Sequence, residues 1–576
     1  PDLVLYQVVT HYVLAALFAF LFAYHLSRNL LFSLGGGLAY AFGGFMVGHA
    51  AHVGMQNTAT WLPLILLLLI VGLERQKIVY GVWAGLSLGV ALLAGHFQTA
   101  LYAMFAIGLY GVFDTGWVVL RGVIVPVIAR ARSAPGNPGA GAHRDGTAAS
   151  ASESAAAIGR ATTKRAGILV AAFLVAFLIA AIQILPTQEL TARSQRSAIT
   201  LELSQTESLE PSSLAGLVFP NYRNVARGAY EGPWDRTQNY LYVTVTLLAC
   251  ALLGFALGTL LSGRRKLAVF FALLLLVSTL YSIGSYGFLH EYFYRYVPLF
   301  DKTRAPANMM VLANLALLGL ASIGAAVLNR SARLRALGVP LVLGLAASIA
   351  IGVELWNALK DNELLWARKS TEEILAEPWI AANIANEYGA LSPMERFTVF
   401  GIPEFADNST QYRKIENFDG YNPLRLMRHA QYVDAMVEHP ELVDLAGIKY
   451  LPCRYIASRA PTLKRVGELC INDRFLPRAF FADNYVVAAH TADALAKLRM
   501  VEVASTLVLE EVPAQEPEEG ALNGFGTVDI VQTRPGYWKL LTRTERDRLL
   551  FFRQTHYPGW TATIDGVPAD LYRANV

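Results

Sequence analysis

Between Val4 and Leu359 the chain passes through ten mostly apolar stretches, typically about 18–24 residues long, and a helix of that length crosses a bilayer core. No soluble fold accommodates such a series, so the first 359 residues are expected to form a bundle of transmembrane helices. The stretches are Val4–Leu26, Leu30–Gly48, Thr58–Leu73, Val79–Gly95, Phe97–Leu120, Gly167–Pro186, Tyr240–Ser262, Lys266–Gly284, Asn308–Leu328 and Leu337–Leu359. The third is short and is expected to begin within the loop before it. From Lys360 onward no such stretch recurs, which predicts a soluble region.

Lysine and arginine divide the connections into two sets. One holds Arg28; Arg75 and Lys77; Arg121, Arg130, Arg132, Arg160, Lys164 and Arg165; Arg264, Arg265 and Lys266; and Arg330, Arg333 and Arg335. The alternating set has no Lys or Arg in His49–Asn57 and none at the turn around His96. Basic loops stay cytoplasmic, so the second set is expected to face outward. Counting crossings puts everything after Leu359 outside the cytoplasm. It also puts Pro1 outside, so one more helix and an outer loop are expected upstream.

Three regions follow. Residues 1–359 form the polytopic part. Within it, 133–163 is an Ala/Gly/Ser/Pro-rich cytoplasmic linker expected to be disordered, and 187–238 is a large polar loop on the outer side. Residues 360–470 alternate helical and strand patterns: Thr371–Tyr388 and Leu424–Glu438 read as helices, Phe397–Gly401 as a strand. Residues 471–576 are β-rich and end on a hairpin signal, Asp565-Gly566, between Thr561–Ile564 and Val567–Leu571. The expected fold class is therefore a mainly α membrane protein of about ten transmembrane helices, followed by an extracytoplasmic α/β domain ending in a β-sandwich-like region.

A net charge of +4, with no basic cluster interleaved with aromatics, argues against nucleic acid as a partner. Cys453 and Cys470 lie on the side where a disulfide is permitted, while spacing alone leaves their pairing open. Asp114 sits inside a span near its cytoplasmic end, where snorkelling or protonation would relieve the charge. Gly35–Gly37 and Gly43-Gly44 read as close helix packing.

The outer loops concentrate chemistry-bearing residues. These are His49 and His52, His96 and Gln98, Glu189, Arg193 and Arg196, and Asp301, Lys302 and Arg304. Guanidinium groups hold phosphate and a carboxylate serves as general base. The structural alternatives are equally concrete: His96 could cap the helix it precedes, and the arginines could anchor lipid headgroups. His49 and His52, at i and i+3, could supply two ligands of a divalent metal ion, the one cofactor the sequence admits, but no third ligand stands near them.

Several segments together resemble the YfhO family of bacterial multi-pass membrane proteins, which are similar in architecture to GT-C glycosyltransferases. They are WLPLILLLLIVGLER, AGHFQTALY, LPTQELTARSQRS with LVFPNYRN, FDKTRAPANMMVLANLALLGLASIG, ENFDGYNPLR, LAGIKYLPC, INDRFLPRAFF and HYPGWTATIDGVPADLYRAN, in that order. The resemblance implies an enzyme of the bacterial cell membrane. It would move a sugar from a polyprenyl-phosphate carrier to a cell-envelope glycan or lipid outside, with membrane lipids as its surroundings. It further implies Arg193, Arg196, Arg304, Gln98, Ser194 and Asn221 as substrate-binding residues, with Glu189 and His96 as catalytic candidates. The first outer loop, where such enzymes carry their key acidic residue, has no counterpart in this sequence. The competing readings are a non-catalytic envelope-glycan assembly or binding protein and a transporter of lipid-linked glycans.

Overall fold

The computed structural model describes residues 2–121, 144–260, 264–329, 332–365, 379–405, 408–420, 422, 424–436, 438–456, 463–518 and 526–576. The chain divides into two compact units, one of residues 1–188 and 198–370 and the other of residues 189–197 and 371–576.

The first unit is helical. Its main helices are α1 (Asp2–Ser27), α2 (Leu30–Ala41), α3 (Gly44–Gly48), α4 (Val53–Thr60), α5 (Leu62–Arg75), α6 (Ile78–Leu93), α7 (Phe97–Val119) and α8 (Arg144–Ala192). Then come α9 (Arg236–Asn239), α10 (Val245–Leu260), α11 (Arg265–Ser282), α12 (Leu289–Tyr296), α13 (Met310–Leu328) and α14 (Val339–Leu359). Among the described residues, eight helical segments are long and apolar enough to cross a membrane, marking a multi-pass membrane protein. The other two of the ten stretches, α6 and α10, are apolar helices of 16 residues each. The third stretch does begin early, at Val53, so the preceding loop shrinks to His49–His52.

α13 is the axis of the bundle. Every residue from Met310 to Ala326 is buried, and α1, α2, α10 and α11 pack around it. The outer helices turn apolar side chains outward instead, as Val170, Leu174, Leu178 and Ile182 do on α8. That is the pattern of a surface solvated by hydrocarbon. Two glycine positions show why the bundle closes so tightly. A Cβ on Gly35 would sit 2.6 Å from Ser348 Oγ of α14, and one on Gly37 would sit 2.6 Å from the Ala16 carbonyl of α1. α2 therefore fits between both neighbours only with hydrogen at these sites.

The linker expectation needs correction. Residues 133–143 lie outside the described residues, but from Arg144 the chain is helical and continuous with α8. The run AASASESAAA is rich in alanine, the best helix former, and a growing helix extends through it at little cost. Asp114 neither snorkels nor stands alone. It is fully buried and paired with Arg165 Nε of α8 at 2.8 Å and with Lys266 Nζ of α11. His25 and Glu74 form a second pair at this basic end, 3.4 Å apart. Glu354 of α14 caps α10, accepting from Val245 N at 2.6 Å and from Thr246 N at 3.3 Å, where the helix dipole favours a carboxylate.

The second unit contains a five-stranded sheet of β1 (Thr398–Val399), β2 (Glu416–Asn417), β3 (Ile448–Pro452), β4 (Arg465–Val466) and β5 (Leu469–Ile471), in the order β2-β1-β3-β5-β4. α15 (Trp379–Ala390) lies in the first expected helix, whose residues 371–378 fall outside the described ones, and α16 (Met427–Met436) lies in the second. β3 and β5 run antiparallel with Leu451 opposite Cys470, which brings Cys453 and Cys470 into a disulfide, Cα atoms 4.9 Å apart.

The β-sandwich-like end is organised differently from expectation among the described residues. β6 (Ala479–Phe481) pairs with β11 (Leu550–Phe552), and β7 (Asn484–Val487) with β8 (Thr506–Leu509). β9 (Gly526–Arg534) pairs with β10 (Tyr537–Thr544), and β12 (Ala562–Ile564) with β13 (Val567–Ala569). Alternation identifies strands but not their partners. The hairpin formed as read, with positive φ at Asp565 (50°) and Gly566 (84°) as a type I′ turn requires.

Candidate functional site

The segment Glu189–Ser197 belongs to the second unit, so the polar residues singled out by sequence divide between two bodies. In the second unit, Glu189 and Arg193 form an exposed i, i+4 pair at 3.7 Å, and the Arg193 guanidinium lies 5.7 Å from the Tyr557 ring centre. Ser194 is spent on its own turn. Its hydroxyl donates to the Thr191 carbonyl and accepts from Arg196 N, and its backbone bridges to Leu426.

In the first unit, His49, His52, His96, Gln98, Asn221 and Arg304 all lie on the connections opposite the basic end. Their roles differ. His96 is the N-cap of α7, its Nδ1 accepting from Thr99 N at 3.2 Å. Asn221 accepts from Ala226 N and Arg227 N, so its carbonyl shapes the loop, beside a cavity of about 50 Å³. Gln98 is a clamp. Its amide nitrogen donates to Tyr102 Oη at 2.7 Å and to the Arg304 carbonyl at 2.5 Å, while its oxygen accepts from Arg304 N. This fixes the backbone where Ala305 takes a left-handed conformation, and it leaves the Arg304 side chain exposed.

His49 and His52 end α3 and begin α4, with ring centres 5.5 Å apart. His49 Nδ1 lies 2.9 Å from the Phe45 carbonyl and Nε2 lies 3.3 Å from Gln238 Oε1 of α9, two acceptors of which a neutral imidazole donates to one. Burial pushes the His49 imidazole down to about 4, so it is neutral at physiological pH. A metal reading gains nothing from this arrangement: among the described residues no group of three His, Cys, Asp or Glu side chains could hold an ion. α3 reaches the α9 segment because Gly48 has no side chain, a Cβ there falling 2.6 Å from the Thr237 carbonyl.

The residue that completes the site has no motif to announce it. Glu207, at φ 59°, is half-buried; burial raises its carboxyl, Arg304 and His52 draw it down, and Asp235 pushes it up. A carboxylate, a guanidinium and an imidazole thus share one neighbourhood. Gln56 lies one turn beyond His52 on the same face of α4. It is fully buried, with both amide atoms unpartnered among the described residues, as are His52 Nδ1, Asn57 Oδ1 and Asn308 Oδ1. Unpaired buried polar groups cost about 1–3 kcal/mol each and are characteristic of sites that handle polar ligands. Glu207 would have been found only from its left-handed backbone, which the sequence does not encode visibly. A separate apolar groove of about 500 Å³, between α7 and α8 near Asp114, offers no such chemistry.

Comparison with family models finds no match, and comparison with curated proteins finds none either.

Proposed function

We propose that the protein is a membrane glycosyltransferase of the polyprenyl-phosphate-dependent kind, working at the end of the helical unit that carries Glu207 and Arg304. On this reading that end, and the second unit, face outward from a bacterial cell membrane, as the positions of lysine and arginine suggest. The acceptor is an envelope glycan or lipid.

The supporting observation is the neighbourhood of Glu207, Arg304 and His52. Burial raises the Glu207 carboxyl above its ordinary range, toward a general base matched to a hydroxyl acceptor. The acceptor oxygen bonds to the sugar's anomeric carbon and gives its proton to Glu207. The bond from that carbon to the phosphate oxygen breaks, and the polyprenyl phosphate leaves with the electron pair. The exposed Arg304 guanidinium, carried on a backbone that Gln98 clamps, meets that phosphate. The unpaired groups of His52, Gln56 and Asn57 offer hydrogen bonds to sugar hydroxyls.

The full chain, reconstituted in liposomes with a radiolabelled polyprenyl-phosphate sugar, tests this. Glu207→Gln should lower kcat by about 100-fold or more, and Arg304→Ala should raise KM. Wild-type turnover in Glu207→Gln sinks the reading. A transporter is disfavoured because the buried Asp114 is locked by two cations at the basic end, away from the mid-membrane position a substrate path requires.

A further inference from the structure

The second unit carries a feature that the glycosyltransferase reading does not use. Arg478 immediately precedes β6 and Arg553 immediately follows β11. The two strands pair antiparallel with Ala479 opposite Phe552, which makes the arginines the next partners in the ladder. Arg553 N donates to the Arg478 carbonyl at 2.8 Å. Arg396 arrives from the start of β1, and its guanidinium lies 5.2 Å from the centre of the Tyr388 ring of α15. All three guanidinium groups act electrostatically on the Tyr388 hydroxyl.

Arg478 is buried and Arg396 and Arg553 are half-buried. Arg478 is only 3% exposed; it lies over Trp538 at 4.7 Å and pairs with Glu416 of β2. Arg553 spends Nη1 on the Leu476 carbonyl at 2.9 Å. Each of the three still keeps a buried N–H donor with no partner among the described residues: Arg396 Nε, Arg478 Nε and Arg553 Nη2. The fold makes room for this. Gly447 has a positive φ of 64°, and any Cβ there would overlap the Arg553 guanidinium. Burial and mutual repulsion push Arg478 down to about 10, and burial does the same to Arg553, so both remain cations at neutral pH.

We infer that Arg396, Arg478 and Arg553 form a binding site for a phosphate-class oxyanion, taken up beside Tyr388. Among the described residues, Glu416 is the one carboxylate in an ion pair with these three cations. Three unpaired N–H groups from planar guanidinium donors match the acceptor-rich surface of a tetrahedral anion. The stacked Trp538 and Tyr388 rings hold two of the guanidinium planes in place before any ligand arrives. The anion is either free phosphate or a phosphate ester carried on a larger sugar or lipid, and the chemistry of recognition is the same.

The test is calorimetric titration of the full chain in detergent micelles with sodium phosphate, sodium chloride as the control, and separately with glycerol 1-phosphate and glucose 1-phosphate. Millimolar or tighter binding of phosphate is expected, weakened about tenfold or more by Arg396→Gln and by Arg553→Gln. Thermal unfolding without phosphate verifies that the Arg396→Gln variant folds. Esters that bind at least as well as phosphate identify a carried phosphate; binding of phosphate alone identifies the free ion. No phosphate binding at millimolar concentration, or equal binding by a folded Arg396→Gln variant and wild type, overturns the inference.

Discussion

The two ends of the helical unit solve the burial of polar groups in opposite ways. At the basic end, the buried carboxylate is paired: Asp114 holds Arg165 and Lys266, and nearer the surface His25 meets Glu74. At the other end the buried polar groups are uncharged or weakly charged, and several have no partner among the described residues. A paired buried charge fixes helices to one another. An unpaired buried amide costs the fold stability and keeps its hydrogen-bonding capacity for something else. The first end is built for holding and the second for binding.

The sharpest way to break this contrast is at Asp114. Asp114→Leu strands two cations between helices and should destabilise the unit by about 3–5 kcal/mol, read as a large loss of thermal stability in micelles. A loss under about 1 kcal/mol would mean the pairs do not hold the helices.

Acid should act on the opposite end. Burial holds His49 and His290 to about 4, below the ordinary 6.5. The folded protein therefore binds fewer protons than the unfolded chain as pH falls. The stability these residues confer is complete above pH 6.5 and is lost as pH falls from there toward 4. The unfolding temperature should drop between pH 7 and 5, and His290→Phe should shrink that drop, because its Nδ1 has no partner to lose.

Glu354→Ala removes the cap on α10 and should cost about 1–2 kcal/mol in the same assay, without changing sugar transfer. The last effect, opposite in sign, belongs to Gln56→Leu. Replacing an unpartnered buried amide by an apolar side chain removes its desolvation penalty and should raise stability by about 1 kcal/mol or more, yet lower turnover. A strongly destabilised Gln56→Leu variant would show that the amide serves the fold, and the contrast between the ends would fail.

What the sequence could reveal follows from range. Apolar runs and the Asp565-Gly566 turn are local, and the structure carries apolar helices and a hairpin where they were read. The helical state of the Ala-rich linker was also local, but composition typical of disorder concealed it. His96 stood out as a polar residue at a turn and Asn221 through the family resemblance, and both turn out to shape their own loops. Glu207, Arg478 and Arg553 acquire meaning only from partners distant in the chain. No spacing rule could bring Arg396 beside a β6–β11 ladder.

The short segment Glu189–Ser197 leaves the helical unit, joins the second and returns, so the polypeptide passes between the units at residues 188–189, 197–198 and 370–371. Its partner around Leu426 is made about 230 residues after Ser194. During synthesis the strand from this loop must wait, unpaired, until most of the later unit has emerged. The second unit is therefore assembled from pieces made on either side of the helical one, and its first piece is made long before the rest.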